Sequence, residues 1–258
     1  MNTALRILLT NDDGIASPGI NLLAKALRAA GRRVFVIAPS SDRSGVSHSI
    51  SFLSGPCKLI ELEPDTWSCS GTPADCVVVG LLGGIPELQT IAAEGSGESR
   101  SPPDLIISGI NRGANLGTDL VYSGTAAAAR QGSLFGIPSI ALSLVEGDVW
   151  HWDMAVSFAA ERLGEILAFW KTDTFVNVNI PNTAEGPSGL IPAFPSLRRY
   201  HDRLEVYKAP DGHRYCFSNG GKVDARPDPG SDWDAVSRNG AALSAICVHP
   251  QLLPQSPC

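Results

Sequence analysis

Hydrophobic residues along the chain form short solid runs, separated by stretches in which they recur every three or four positions. This is the pattern of strands alternating with helices. Arg6 to Thr10, with Ile7, Leu8 and Leu9 in succession, reads as a first buried strand. Ser17 and Pro18 then open a helix as N-cap and first position, Ile20, Leu23, Ala24 and Leu27 recur at helical spacing, and Gly31 stops it. Val34 to Ala38 is the second strand. Strand, helix and strand in such short order imply a right-handed crossover and parallel pairing. A further buried strand is predicted at Leu105–Ser108, and strands at Ser139–Leu144 and at Phe175–Ile180, where Val176, Val178 and Ile180 alternate with Asn177 and Asn179. Helices are predicted from the capping box Thr72–Asp75 through Leu82, from Ser123 onward, and from Trp152 to Trp170. Ile50 to Cys69 reads as a small β excursion from the main sheet, and residues 92–103 have the composition of a flexible loop without a site. Beyond Pro181 the pattern weakens into strand-like pieces at Arg203–Lys208, Arg214–Phe217 and Ala242–Val248. The expectation is one α/β domain over residues 1–258, with a core at 1–181 and a C-terminal lobe or oligomerisation arm at 182–258.

Candidate chemistry gathers where the predicted strands end. The first strand runs directly into Asn11-Asp12-Asp13-Gly14, which is good turn chemistry but also places two carboxylates at the rim where α/β sheets bind ligands. The second strand enters a hydroxyl-rich loop holding Arg43, Ser44 and His48, and the strand at 105–108 feeds Asn111, Arg112 and Asn115. Two carboxylates, a hydroxyl and amide carbonyls make an all-oxygen donor set, which favours magnesium, manganese or calcium over zinc. Ser123-Gly124-Thr125 opens a helix whose first N–H groups and hydroxyls suit a phosphate, or serve as a plain N-cap. Such equipment fits phosphate-ester hydrolysis, in which a metal clamps phosphoryl oxygens and activates water.

Composition narrows the alternatives. A formal charge of −6 and a pI near 5.3 argue against a general nucleic-acid binder. Neither a G-x-G-x-x-G fingerprint nor a G-x-x-x-x-G-K-[ST] loop occurs, and the six cysteines form no C-x-x-C pair. The N-terminus shows no signal-peptide pattern and no apolar run is long enough to span a membrane, so a cytoplasmic location is expected.

Five ordered motifs, Asn11-Asp12-Asp13-Gly14, Arg43-Ser44-Gly45, Gly71-Thr72-Pro73-Ala74-Asp75-Cys76, Ser108-Gly109-Ile110-Asn111 and Tyr122-Ser123-Gly124-Thr125, together resemble the SurE family of metal-dependent 5'/3'-nucleotidases. The resemblance implies a Rossmann-like three-layer sandwich with a mostly parallel sheet and a β-rich C-terminal arm used in a homodimer or homotetramer. It implies hydrolysis of nucleoside monophosphates, and in some members of polyphosphate ends, with one magnesium or manganese ion. Transferred residue by residue, Asp12, Asp13, Ser44 and Asn111 would hold the metal, with Asp12 and Asp13 catalytic. Asn115, Ser123, Gly124 and Thr125, with Arg43, would meet the phosphate. Two rival readings are a phosphatase with a covalent aspartyl-phosphate and a non-catalytic nucleotide or polyphosphate binder.

Overall fold

The computed structural model describes residues 4–88, 102–220, 223–225 and 228–250. Strand β1 (Arg6–Thr10) is buried on both faces, with Ile7 and Leu9 in one hydrophobic layer and Leu8 in the other. Alternate residues of a strand point to opposite faces, so a run of three apolar side chains requires cover on both. Helix α1 (Pro18–Ala29) covers the first face through Ile20, Leu23, Ala24 and Leu27. Helix α2 (Pro73–Val79) covers the second through Cys76 and Val77.

To one side of β1 lies β2 (Arg33–Pro39), then β4 (Thr66–Cys69), both parallel, with β3 (Leu59–Glu63) antiparallel at the edge. On the other side stand β5 (Leu105–Arg112), β6 (Ser139–Leu144) and β7 (Thr174–Ile180), again parallel. The chain thus builds outward from β1 in one direction, then returns to build in the other. The point of reversal falls between β1 and β5, where the adjacent crossovers depart to opposite sides and leave a crevice. Beyond β7 the sheet gains β13 (Ala241–Cys247), antiparallel, and β8 (Leu190–Pro192). The fold is an α/β sandwich with a mostly parallel central sheet and small antiparallel sheets in the C-terminal part.

Predicted elements recur with three differences. The segment 50–69 is the edge of the main sheet rather than an excursion from it, because β4 pairs with β2 in register Val36↔Thr66 to Pro39↔Cys69. The helix expected over Trp152–Trp170 is two, α4 (Trp152–Glu161) and α5 (Leu163–Ala168). Arg162 leaves helical backbone at φ −92°, ψ 6°, and Gly164, a poor helix former, follows it. Ser17 occupies the N-cap of α1 in extended backbone, but its hydroxyl makes no capping bond. By contrast the Thr72–Asp75 capping box is complete, and Ser123 accepts from the Ala126 N–H to cap α3 (Gly124–Leu134). Most of the loop expected at 92–103 lies outside the described residues.

The C-terminal part crosses the boundary expected at residue 181, since β8 and β13 belong to the main sheet. Its remaining strands, β9 (Arg198–Tyr200) with β12 (Val223–Ala225) and β10 (Leu204–Lys208) with β11 (Arg214–Ser218), form two separate hairpin-like sheets. Asp232, at the start of α6 (Asp232–Ser237), fixes the segment before β9. It is fully buried, and its carboxylate accepts from the N–H groups of Gly117 at 2.8 Å, Ser196 at 2.9 Å and Trp233 at 2.8 Å. Gly117 permits this approach, since a Cβ there would lie 1.7 Å from the Ser196 carbonyl oxygen. Asp232→Ala orphans the buried N–H groups of Gly117 and Ser196 at about 1–3 kcal/mol each, so urea unfolding is expected to show a loss of about 2–6 kcal/mol, while Asp232→Asn retains part of it.

Candidate active site

The Asn-Asp-Asp-Gly turn reverses within the crevice because Gly14 takes φ +93° and Asn11 Nδ2 donates to the Gly14 carbonyl at 2.9 Å. Asp12 is left 4% exposed, directly under the start of α3. One of its oxygens accepts from the Thr125 hydroxyl and the other from the Thr125 N–H at 3.1 Å. Gly124 makes this contact possible: a Cβ at that position would stand 2.8 Å from the Asp12 Cβ. Burial pushes the Asp12 carboxyl up to about 6, against the opposing pull of the Thr125 bonds, and neighbouring Asp13 raises it further. Half-buried Asp13 accepts from the Arg112 N–H at 3.0 Å, joining the end of β1 to the end of β5. Its carboxyl is raised as well, first by burial and then by the nearby charge of Asp42.

The other donors converge from neighbouring loops. Ser44 is exposed, and its hydroxyl and N–H both donate to Asp42 Oδ1, at 2.6 and 2.7 Å. That leaves the oxygen lone pairs of Ser44 available. β5 shifts register between Ser108 and Asn111, and such an irregularity re-aims the side chain that follows. Asn111 Nδ2 donates to the Gly113 carbonyl at 2.9 Å, which fixes its amide and leaves Oδ1 as the oxygen donor. A cavity of about 560 Å³ is lined by Asp12, Ser44, Asn111, Asn115 and Ser123. Its wall also includes Arg112, Tyr122, Asp119, Arg198 and Tyr200.

This donor set fits a hard divalent cation. Asp12 is buried beside half-buried Asp13; the charge of Arg112 acts on Asp13 but no cationic side chain acts on Asp12, and a buried charge of this kind calls for compensation. Among the described residues no three His, Cys, Asp or Glu side chains converge. Ser44 and Asn111 could supply further oxygen donors beside Asp12 and Asp13.

Several residues take roles that differ from simple phosphate contact. Thr125 is wholly buried and spends both its hydroxyl and its N–H on Asp12. Ser123 uses its hydroxyl on the Ala126 N–H at 2.9 Å. Arg43 turns its guanidinium to the Ser70 carbonyl at 2.9 Å and does not line the cavity. His48, half-buried, pairs with Gln131 at 2.8 Å, and burial lowers its pKa.

Asn115 is held by partners that local sequence patterns did not single out. Its N–H donates to Asn179 Oδ1 at 2.7 Å, its Nδ2 to the Ser143 hydroxyl at 2.8 Å, and its carbonyl accepts from Asn177 and Asn179. The signal was present: β7 is a central strand, so both its faces are buried and its asparagines must find polar partners. Asp119, Arg198 and Tyr200 had no comparable signal, since Asp119 meets Arg198 and Tyr200 across 79 and 81 residues.

Comparison with known proteins agrees with this geometry. The family model described as Survival protein SurE matches residues 7–200. 5'-nucleotidase SurE of Geobacter sulfurreducens is 37% identical over 245 residues, covering 94% of this chain and 87% of that protein. 5'-nucleotidase SurE of Syntrophotalea carbinolica is 38% identical over 246 residues, covering 93% of this chain and 90% of that protein. The crystal structure of the SurE protein from Aquifex aeolicus aligns with a TM-score of 0.77 at 34% identity, over 95% of this chain and 94% of that one. From the strand-end motifs to the whole fold, the chain belongs to the SurE family.

Proposed function

We propose that the chain is a phosphomonoesterase that hydrolyses nucleoside 5'-monophosphates, and 3'-monophosphates, to nucleoside and phosphate, using one magnesium or manganese ion. The observation that carries this reading is the buried Asp12 carboxylate beside Asp13, without a cationic partner, in a cavity at the topological switch of the sheet. Curated relatives named 5'-nucleotidase SurE, at 37% and 38% identity, support the same reading. Asp12, Asp13, Ser44 and Asn111 are the residues that would hold the ion. When bound, the ion supplies charge for the phosphoryl oxygens and acidifies water.

The residues of the chain prepare for this in distinct ways. Thr125 fixes both oxygens of Asp12, and the Arg112 N–H fixes one of Asp13, so the carboxylates are oriented in advance. Asp12 and Asp13 are adjacent rather than separated by one residue, which favours attack by water over a covalent aspartyl-phosphate. Asn115, Ser123 and Gly124 are the residues we assign to the phosphate, at the positive end of α3. Thr125 serves the phosphate indirectly, through Asp12. Inorganic polyphosphate ends present the same terminal phosphoryl group and belong in the substrate panel.

We further assign a homodimer or homotetramer, built through β10 and β11. This hairpin carries Leu204, Val206 and Phe217 at 64%, 55% and 55% exposure. An isolated two-stranded hairpin is marginal in water, and apolar side chains on both its faces fit a second copy of the chain. No described helix is long and apolar enough to cross a membrane. A cytoplasmic setting is our reading of the scattered cysteines and the nucleotide substrate.

Three outcomes are expected. First, phosphate release from 5'- and 3'-nucleoside monophosphates requires magnesium or manganese, stops with chelator, and falls by about a hundredfold or more in Asp13→Asn; binding without release by the wild type under any metal would establish the non-catalytic reading instead. Second, burial pushes the Asp12 carboxyl up to about 6, above the ordinary carboxylate range, so its ionisation penalises the metal-free native state. That penalty is absent at low pH, grows as pH rises toward 6, and is complete above it. Asp12→Asn removes the penalty, and is expected to stabilise metal-free protein by about 1–3 kcal/mol at about pH 7.5, with no gain near pH 4; magnesium closes the gap by stabilising the wild type alone. Third, light scattering on Leu204→Glu combined with Val206→Glu shows a smaller assembly than the wild type.

A further inference from the structure

The cavity wall contains a second constellation, distinct from the oxygen donors at the strand ends. Asp119 stands in the 3-10 turn Gly117–Val121 that leads into Ser123 and α3. Its side chain is 11% exposed, as is that of Arg198. One Asp119 oxygen accepts from Arg198 Nη1 at 2.5 Å and from the Leu116 N–H at 3.0 Å, and the other accepts from the Tyr200 hydroxyl. The Arg198 N–H donates to the Thr118 hydroxyl at 3.1 Å, which fixes the start of β9 against the same turn. The Arg198 guanidinium lies over the Trp233 ring at 5.1 Å and the Tyr200 ring at 5.9 Å. Asp119, Arg198 and Tyr200 all line the cavity, with the exposed ring of Tyr122 beside them.

At about 560 Å³ the cavity is in the range that encloses a small organic ligand, more than a phosphoryl group needs. The remainder must receive the alcohol half of the ester. In this part of the wall the Asp119 carboxylate takes three bonds and the Tyr200 hydroxyl gives its proton to one of them. The rings of Tyr200 and Tyr122, with the edge of the Arg198 guanidinium beside them, offer a ligand flat π surface. Flat π surface stacks any planar ring.

Resting on the phosphomonoesterase reading, we propose that Tyr200 and Arg198 form a stacking wall for the base of a nucleoside monophosphate, held in place by Asp119. The wall accepts purines and pyrimidines alike. Asp119 is a positioning residue; it acts through Arg198 and Tyr200. Selection for a nucleotide over a plain sugar phosphate therefore resides in the C-terminal strand β9, while the chemistry resides at the ends of β1 and β5.

Steady-state phosphate release from adenosine 5'-monophosphate, uridine 5'-monophosphate and ribose 5-phosphate tests this. The sugar phosphate presents the same ester without a base. In the wild type, KM for both nucleotides is expected at least about tenfold below that for ribose 5-phosphate. Tyr200→Ala should raise the nucleotide KM by about tenfold, leaving kcat and ribose 5-phosphate kinetics unchanged. Tyr200→Phe keeps the ring and should stay close to wild type, whereas Asp119→Asn should raise both nucleotide KM values together without changing kcat. Equal losses on nucleotides and ribose 5-phosphate, or no change in Tyr200→Ala, would overturn the stacking wall while leaving the phosphomonoesterase reading intact. Release by the wild type from none of the three esters overturns that reading, and the wall with it.

Discussion

The site depends on the carboxylate of Asp12 being seated under the first turn of α3. Thr125 grips both oxygens, Gly124 has no side chain because Asp12 lies against it, and Pro73 of α2 closes the same point. A carboxylate benefits from the positive end of a helix, yet here burial outweighs that benefit and holds its pKa at about 6. The folded protein therefore carries a destabilised charge at the rim of the crevice, a feature of the kind that trades stability for function.

Much of this was legible in the sequence because it is local. Apolar Ile7, Leu8 and Leu9 followed at once by Asn11-Asp12-Asp13-Gly14 specify a strand, its end and a pair of carboxylates within nine residues. The Thr72–Asp75 box and the Ser123 cap depend on neighbours three residues apart, and both formed as expected. Sequence patterns were weaker wherever polarity was answered across the fold. Asn177 and Asn179 alternate with apolar residues like the solvent face of a strand, but they face Asn115 in the interior. The Thr125 hydroxyl, expected at a phosphate, bonds Asp12 because the turn at Gly14 brings that carboxylate under the helix.

The edges of the sheet show the same division. Gly, Pro and acidic residues interrupt the run from Ile50 to Cys69, so local pattern alone does not join β4 to the main sheet. Pairing with β2 is set by burial of Thr66, Ser68 and Cys69, which is a tertiary effect. At the opposite end, β13 and β8 extend the sheet from beyond residue 181, so the C-terminal part is woven into the core rather than appended to it. Asp232 and Asp119, both buried carboxylates that collect backbone N–H groups, then fix the 3-10 turn and the segment before β9 against one another.

β9 has no partner in the nine-stranded sheet; it pairs with β12 and is held to the core by side-chain bonds to the turn at 117–121. Elements with few backbone pairings and exposed surface open at lower free energy than the central strands. The two halves of the cavity consequently differ in robustness. On gentle heating, β9 loosens while β1, β5 and α3 stay in place, so discrimination between esters fades at temperatures where turnover persists.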